Sequence, residues 1–274
     1  MKNRALASML AIVALAATAF AGDKLSAEEL ISKHIDSVIT AKMANPPLGR
    51  AGSGVAVRDV LLGGTGHREG KATFVSKADD FQLVLDFTSA DYQGEQITWS
   101  GGKARVSASG IDKFSAMAQF VQTHEMILRD GLLGGTLNNG WALMTTNVHN
   151  PKIHYDGLKK HGGRMLHQIT YTPRKGDNDM TIRIYLEPDT FRHVVTTYEF
   201  EGQVAAMAGN MPDAQKIVER IEETFSDFKQ EGGLTLPHHW QLRYEQEHGN
   251  TMSIRFEMQF PTVQTGSIVA SAGQ

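Results

Sequence analysis

The sequence predicts a mainly β fold with helices, an α+β protein built on one antiparallel sheet that curls into an incomplete, half-open barrel. After residue 54 the chain consists of short β-like runs separated by turn residues, which together make about 11 or 12 strands. The turns are short, as is typical of hairpins in a single antiparallel sheet. Two helical segments, one N-terminal and one in mid-chain, interrupt this pattern and are predicted to lie over the sheet as lids.

The first residues have the layout of a secretory signal peptide. Lys2 and Arg4 precede an apolar run from Ala5 to Ala19, and Ala19-Phe20-Ala21 follows as a small-x-small exit. The apolar run is shorter than the ~20 residues that cross a bilayer, so a retained anchor is not expected. We expect cleavage after Ala21, a single domain over residues 22–274, and a periplasmic location, or secretion if the cell has no outer membrane.

Composition excludes several classes of site and partner. The chain has no cysteine, which rules out disulfides, cysteine-based zinc sites and a thiol nucleophile. The leader carries two of the 27 basic residues and none of the 30 acidic ones, so the remaining chain has 25 against 30 and a net charge of −5. A mildly acidic exported protein is not expected to bind nucleic acid, because phosphate neutralisation requires a basic face.

The N-terminal helix is predicted within residues 25–43. Ser26 and Glu29 have the spacing of a capping box. Seven residues at three- and four-residue spacing form an apolar stripe that demands a partner surface: Leu30, Ile31, His34, Ile35, Val38, Ile39 and Met43. His34 lies in this stripe and is interpreted as a satisfied core or boundary histidine rather than a ligand.

The floor of an apolar cavity is predicted on two neighbouring strands. The run FQLVLDF alternates large apolar with polar residues, and a two-glycine hairpin at Gly101-Gly102 follows the next run. The residues predicted to face inward are Phe81, Leu83, Leu85, Phe87, Ile97 and Trp99.

The mid-chain segment from Ile111 to Met144 is predicted to be a helix that breaks near Gly134-Gly135 and covers this floor. Its large side chains supply the other candidate cavity residues: Phe114, Met117, Phe120, Val121, Leu128, Leu132 and Trp141. Two amphipathic helices laid on a concave sheet would enclose an apolar cavity, the usual form of a small-molecule site. A second interruption, Gly202 to Gln215, is predicted to be a mobile loop.

The glycine-rich stretch LLGGTGHREGKAT, residues 61–73, resembles a phosphate-binding loop only superficially. A P-loop ending at Lys71 would need glycine at 65 and a hydroxyl residue at 72, where this chain has Thr65 and Ala72. With β-like runs on both sides, the glycines are predicted to form a hairpin turn. We expect substitution of Gly64 by alanine to affect folding, and we expect no nucleotide to bind.

No motif identifies an enzyme, a metal site or a cofactor. His124-Glu125 lacks the second histidine of H-E-x-x-H, and His238 and His239 are adjacent in a predicted strand, so they point to opposite faces. No G-x-S-x-G is present. A hydrolase whose site is assembled from distant strands, and a structural or interaction protein with a self-packed core, remain open alternatives.

Four stretches resemble the outer-membrane lipoprotein-sorting superfamily, the LolA/LolB-like half-barrels. They are GKATFVSKADDF, WSGGKARV, FEMQFP and FSDFKQEGGLTLPHHWQL. The resemblance implies an incomplete barrel covered by helices, with a cavity for the acyl chains of lipoproteins or lipids. Lys77 stands where the superfamily has an arginine that contacts the lid, and lysine lacks the forked donor geometry. The chain is also longer than the sorting carrier.

These observations predict a periplasmic, monomeric, non-catalytic carrier. Its expected ligand is an acylated lipoprotein, a lipid or another acylated hydrophobic molecule, with membrane-bound donor and acceptor partners and a role in outer-membrane biogenesis.

Overall fold

A single antiparallel sheet of 13 strands forms the framework of the protein. The computed structural model describes residues 25–40, 49–61, 66–110, 114–176, 179–204, 215–248 and 250–267. The predicted leader, Gly64 and most of the 202–215 segment lie outside these residues. The strands are β1 (Gly49–Val60), β2 (Arg68–Lys77), β3 (Asp80–Phe87), β4 (Gly94–Ser100), β5 (Lys103–Ala108), β6 (Lys152–His161), β7 (Arg164–Thr172), β8 (Met180–Leu186), β9 (His193–Val204), β10 (Gln215–Glu231), β11 (Leu234–His248), β12 (Asn250–Gln259) and β13 (Val263–Thr265).

The strand order confirms the half-open barrel. Along the sheet the strands run β5-β4-β3-β2-β1-β12-β11-β10-β9-β8-β7-β6, and the short β13 pairs with the start of β1. Every pairing is antiparallel, and β5 and β6 are the two edges of the sheet, which does not close. The count exceeds the expected 11 or 12 strands, in part because the three-residue β13 carries no periodic signal of its own.

Short turns join most neighbouring strands, as predicted. Gly101 and Gly102 have φ angles of 57° and 73° between β4 and β5, the left-handed conformation that a two-residue hairpin requires. The glycine-rich stretch after residue 60 also joins two strands, because β1 and β2 pair from Gly49 opposite Lys77 to Arg58 opposite Arg68. A P-loop requires a helix after the glycines, so this pairing excludes one.

The N-terminal helix, α1, spans Ala27–Val38 and has both hydrogen bonds of the predicted capping box. The Ser26 hydroxyl accepts from the Glu29 N–H at 3.1 Å, and the Glu29 carboxylate accepts from the Ser26 N–H at 2.8 Å. The helix ends earlier than the apolar stripe suggested. Ile39 has extended backbone and forms a bridge with Leu234, so pairing with the sheet replaces another helical turn.

The segment between β5 and β6, which we call the insertion (residues 114–150), is not one helix. It contains α2 (Ala116–Thr123), α3 (Met126–Arg129), a 3-10 turn (Gly135–Leu137) and α4 (Thr146–His149). Gly131 and Gly134, with φ angles of 69° and 83°, break the helical course. The break predicted near Gly134-Gly135 is therefore present, together with others that helical periodicity did not reveal.

The insertion enters and leaves at the same end of the barrel, where β5 ends and β6 begins; we call this end the insertion rim. Its Gly134–Asn138 turn reaches the opposite end, where the Gly101-Gly102 hairpin lies, and which we call the turn rim. The turn contacts Arg50 at the start of β1 and Ser76 near the end of β2. The insertion thus runs the length of the concave face and returns.

Among the described residues, no helix is both long enough and apolar enough to span a membrane.

Candidate functional site

The predicted cavity residues come together on the concave side of the sheet. The predicted sheet and insertion residues belong to one contiguous apolar cluster. Of these predicted residues, Phe114 is partly buried, and Trp99, at 8% exposure, is the most accessible of the others. The members are Phe81, Leu83, Leu85, Phe87, Ile97, Trp99, Met117, Phe120, Val121, Leu128, Leu132 and Trp141, with Phe114 packed against them. The insertion therefore lies face to face with the predicted floor.

These side chains pack against one another in the described conformation. Four pockets of about 230 to 420 Å³ lie at the surface of the described part of the chain. Phe87 lines one of these pockets and Phe120 lines another, and the remaining predicted cavity residues line none of the four. The insertion therefore fills the space over the predicted floor.

A buried carboxylate on β10 fixes the tip of the insertion. Glu223 accepts hydrogen bonds from the Tyr198 hydroxyl at 2.7 Å, the Trp240 indole N–H at 2.9 Å and the Gly134 N–H at 2.9 Å. Burial raises the pKa of Glu223 to about 7, an effect that the three hydrogen bonds partly offset. The contact between the insertion and the sheet thus depends on an ionisable group.

A second contact joins the insertion to α1. The Trp141 indole N–H donates to His34 Nε2 at 2.9 Å, so His34 Nδ1 carries the proton and donates to the Phe191 carbonyl at 2.9 Å. The Trp141 ring also stacks on His193, with centroids 4.5 Å apart. Burial lowers the pKa of His34 to about 4, which keeps the ring neutral. The interpretation of His34 as a satisfied core histidine is confirmed.

A third contact joins the insertion to β1 and β2 through Arg50 and Ser76, two residues that no sequence pattern singled out. Arg50 is buried and donates to the backbone carbonyls of Thr136 and Asn138, the latter at 2.9 Å. Lys77, to which the resemblance assigned the lid contact, is exposed and has no hydrogen bond or ion pair to the described part of the insertion. Its neighbour Ser76 is the residue that bonds the insertion, because its hydroxyl accepts from the Asn139 N–H at 2.7 Å.

A fourth contact fixes the start of α2 at the insertion rim. The buried Glu95 carboxylate accepts from the Ser115 N–H at 2.6 Å and from the Ser115 hydroxyl at 2.8 Å. Ser115 is in turn the N-cap of α2, where its hydroxyl accepts from the Ala118 N–H. Burial raises the pKa of Glu95 as well.

One of the four pockets, of about 260 Å³, lies between α2 and strands β9, β10 and β11. His124, at the end of α2, has its ring 4.5 Å from that of Phe120 and 4.6 Å from that of Phe200. On the far wall the Tyr244 hydroxyl donates to Glu219 at 2.6 Å. We call this pocket the α2 groove; aromatic and polar side chains both line it, and it leads toward the packed cluster.

The structure bears differently on two other candidate chemistries, metal binding and nucleophilic catalysis. No group of three or more His, Asp or Glu side chains that could hold a metal ion is found within the described residues. On the convex face, however, the Ser226 hydroxyl lies 2.8 Å from His239 Nδ1, and His239 Nε2 lies 3.1 Å from the Glu257 carboxylate. Sequence spacing could not reveal this serine–histidine–glutamate arrangement, since it crosses three strands.

Comparisons with known proteins find structural similarity only. No protein-family model and no curated protein sequence matches the chain. A DUF1329 family protein from Desulfovibrio piger is similar at 11% identity with a TM-score of 0.41. A LolA superfamily protein from Nitrosomonas europaea is similar at 10% and 0.46, and a domain from Vibrio parahaemolyticus named for outer membrane lipoprotein sorting at 8% and 0.40.

Each of these similarities covers 89% of this chain and 95% of the other. Two of these structures carry the name of the superfamily that the sequence resembles or of its sorting activity.

Proposed function

We propose that the protein is an exported, non-catalytic carrier that binds the acyl chain of a lipid or lipoprotein between the concave face of its sheet and the insertion. In this proposal the apolar cluster is the binding surface, and the described conformation is the ligand-free one. The signal-like N-terminus and the resemblance of the sequence support a periplasmic location for residues 22–274.

The observation that carries the proposal is the way in which the insertion is attached over the concave face of the sheet. Its cover is an irregular segment attached by discrete polar contacts at Glu95, Glu223, His34 and Arg50. An intramolecular hydrogen bond contributes about 1 kcal/mol net, whereas burying a sixteen-carbon chain supplies roughly 12 kcal/mol before the costs of ordering. Burial of an acyl chain can therefore offset the loss of these polar contacts, and in this proposal the apolar side chains of the insertion stay buried against the ligand when the insertion moves.

The α2 groove is the proposed entry. Movement of α2 away from β9–β11 would widen this groove toward Met117, Phe120 and Val121, which are the first large buried residues of the insertion. Release would need a competing hydrophobic acceptor, so we propose membrane-bound donor and acceptor partners and a monomeric carrier.

A reversible lock on the insertion tests this mechanism. The Ser76 hydroxyl lies 2.7 Å from the Asn139 backbone nitrogen, so Ser76→Cys with Asn139→Cys places one thiol on each side of this contact in a chain that has no other cysteine. We expect the oxidised double variant to lose binding of a fluorescent sixteen-carbon fatty acid and to regain it on reduction. The two single variants, oxidised and reduced, are the controls, and mass spectrometry confirms the disulfide.

Binding that is equal in the oxidised and reduced double variant would exclude displacement of the insertion at this contact. Absence of binding in the wild-type chain would instead favour the structural alternative, in which the packed interior is permanent.

One observation favours a second candidate, a secreted hydrolase. Ser226 is exposed, and its contact with His239 on β11 places a base within reach of a nucleophile, while Glu257 orients that base. None of the four pockets described above adjoins Ser226. Turnover of p-nitrophenyl butyrate that Ser226→Ala abolishes would establish this function, and equal rates for the two proteins would exclude it.

A further inference from the structure

A pocket with an excess of positive charge lies at the insertion rim. Its volume is about 350 Å³, and it is formed where α3, α4 and the loop after β7 meet. The lining residues are Arg129, Asp130, Val148, His149, Arg174 and Lys175. We call it the cationic pocket.

Hydrogen bonds hold one cation of the cationic pocket, Arg129, in place. Arg129 Nε donates to the buried Asp130 carboxylate at 2.8 Å, and its guanidinium also donates to the Lys175 carbonyl. The other oxygen of Asp130 accepts from the Tyr171 hydroxyl at 3.1 Å. Arg129 is therefore fixed to both the insertion and the loop.

The other two cations are not neutralised by the described residues. Arg174 and Lys175 are exposed, and neither side chain has an ion pair or hydrogen bond with the described part of the chain. Asp179, farther along the same loop, is exposed and also forms no ion pair with them. Since Asp130 balances Arg129, two positive charges remain without a described counter-ion in a protein with a net negative charge.

Apolar side chains lie at the rim of the cationic pocket and beneath its loop. Val148 is 67% exposed at its rim. Beneath the loop lies Met126, a buried member of the apolar cluster, so close that a Cβ on Gly176 would be 2.8 Å from its terminal carbon. The loop that carries Arg174 and Lys175 therefore lies against a side chain of the packed interior.

We propose that the cationic pocket binds the phosphate of an anionic lipid headgroup while the acyl chains of that lipid pass Met126 into the interior. Arginine offers a planar fork that matches phosphate oxygens, and charge-assisted hydrogen bonds of this kind are the strong ones. This assignment rests on the proposed carrier function and narrows its ligand to phosphate-bearing amphiphiles.

The test compares two probes of equal chain length. Dioctanoyl phosphatidylglycerol carries the anionic phosphate and dioctanoylglycerol lacks it, and isothermal titration below their micelle concentrations gives the dissociation constant of each. For Arg174→Gln with Lys175→Gln we expect the constant for dioctanoyl phosphatidylglycerol to rise about tenfold, with no change for dioctanoylglycerol. The matched control is Lys159→Gln with Lys160→Gln, which removes two exposed charges from β6 and should change neither constant.

The contrary outcomes are distinguishable. If wild type binds both lipids and the Arg174/Lys175 variant binds phosphatidylglycerol equally well, the phosphate assignment is wrong and the carrier function stands. If wild type binds neither lipid, both fail. Binding of sodium phosphate as tight as that of phosphatidylglycerol would make the pocket a free-anion site. Binding to phosphatidylglycerol vesicles alone would make it a membrane-contact surface; either result overturns the assignment.

Discussion

At the scale of single residues, buried ionisable groups connect the insertion to the sheet and to α1, and burial moves their pKa values in opposite directions. Burial raises the pKa of Glu223 and lowers that of His34, because in each case the neutral form is favoured. Among the residues of these contacts that the sequence pattern did not single out, Glu223 could have been found from its position in the sequence. It alternates with Ile221 and Phe225 on an apolar strand face, where a carboxylate requires partners.

Glu223→Gln should change how stability depends on pH. The folded pKa of about 7 exceeds the ordinary 4.5, so the stabilising contribution of Glu223 is fully present below pH 4.5 and is lost as the pH rises to 7. Relative to the variant, wild type should lose on the order of 3 kcal/mol of unfolding free energy over this interval. Urea unfolding of wild type and the variant at pH 4.5 and pH 8 measures this change in free energy, and Glu125→Gln, at an exposed position, is the control. A wild-type-to-variant difference that does not vary with pH would contradict the expectation.

His34→Phe should show the opposite slope. The folded pKa of His34, about 4, lies below the ordinary 6.5, so its stabilising contribution is present above pH 6.5 and is lost as the pH falls to 4. The variant lacks this loss but leaves the Trp141 N–H without an acceptor, which should cost about 1 to 3 kcal/mol at pH 7.5. The same urea titrations measure both effects, and a variant as stable as wild type at pH 7.5 would show that the hydrogen bond contributes nothing.

At the scale of elements, the insertion differs from every strand in how it is held. Strands are joined by continuous ladders, as in the thirteen register pairs between β10 and β11. The insertion has short helices, left-handed glycines and a few polar contacts. An element of this kind is expected to open locally before the sheet does, because fewer interactions must break together.

Gly134→Ala should destabilise this element specifically. Gly134 has a φ of 83°, and an added Cβ would lie 3.3 Å from the Phe81 ring. We expect a loss of about 1 to 3 kcal/mol of unfolding free energy from backbone strain and crowding together. Gly101→Ala, at a φ of 57° with no atom within 4 Å, isolates the contribution of the backbone and should cost less. Equal losses in the two variants would show that the contact with Phe81 is not limiting.

At the scale of the whole molecule, one open sheet wraps around a segment of its own chain. The sheet edges β5 and β6 are not paired with each other, and the insertion connects them across the concave face. The insertion therefore fills the interior, and the proposed carrier function depends on movement of this segment away from the sheet.

Amide hydrogen exchange should be faster in the insertion than in the sheet. Amides of α2 and α3 are expected to exchange at least about tenfold faster than those in the centre of β10 and β11, because they open with the insertion alone. Addition of a sixteen-carbon fatty acid should speed exchange in the insertion and leave β10–β11 unchanged. Exchange at one common rate throughout would mean that the insertion opens only with global unfolding.

The sequence by itself determined the antiparallel half-barrel, α1 with its capping box, and the joining of two paired strands by the glycine-rich stretch. It also indicated which apolar side chains belong to the packed cluster, whereas their predicted role as a ligand cavity stays a prediction. These features follow from local turn chemistry and from periodicity, which are properties of neighbouring residues. Tertiary structure alone decided that the interior is filled by the insertion, that Arg50 and Glu223 hold its tip, and that Arg174 and Lys175 adjoin Arg129. The hydrogen bonds among these residues join positions between 46 and 89 apart, and no local pattern records the path by which the chain brings them together.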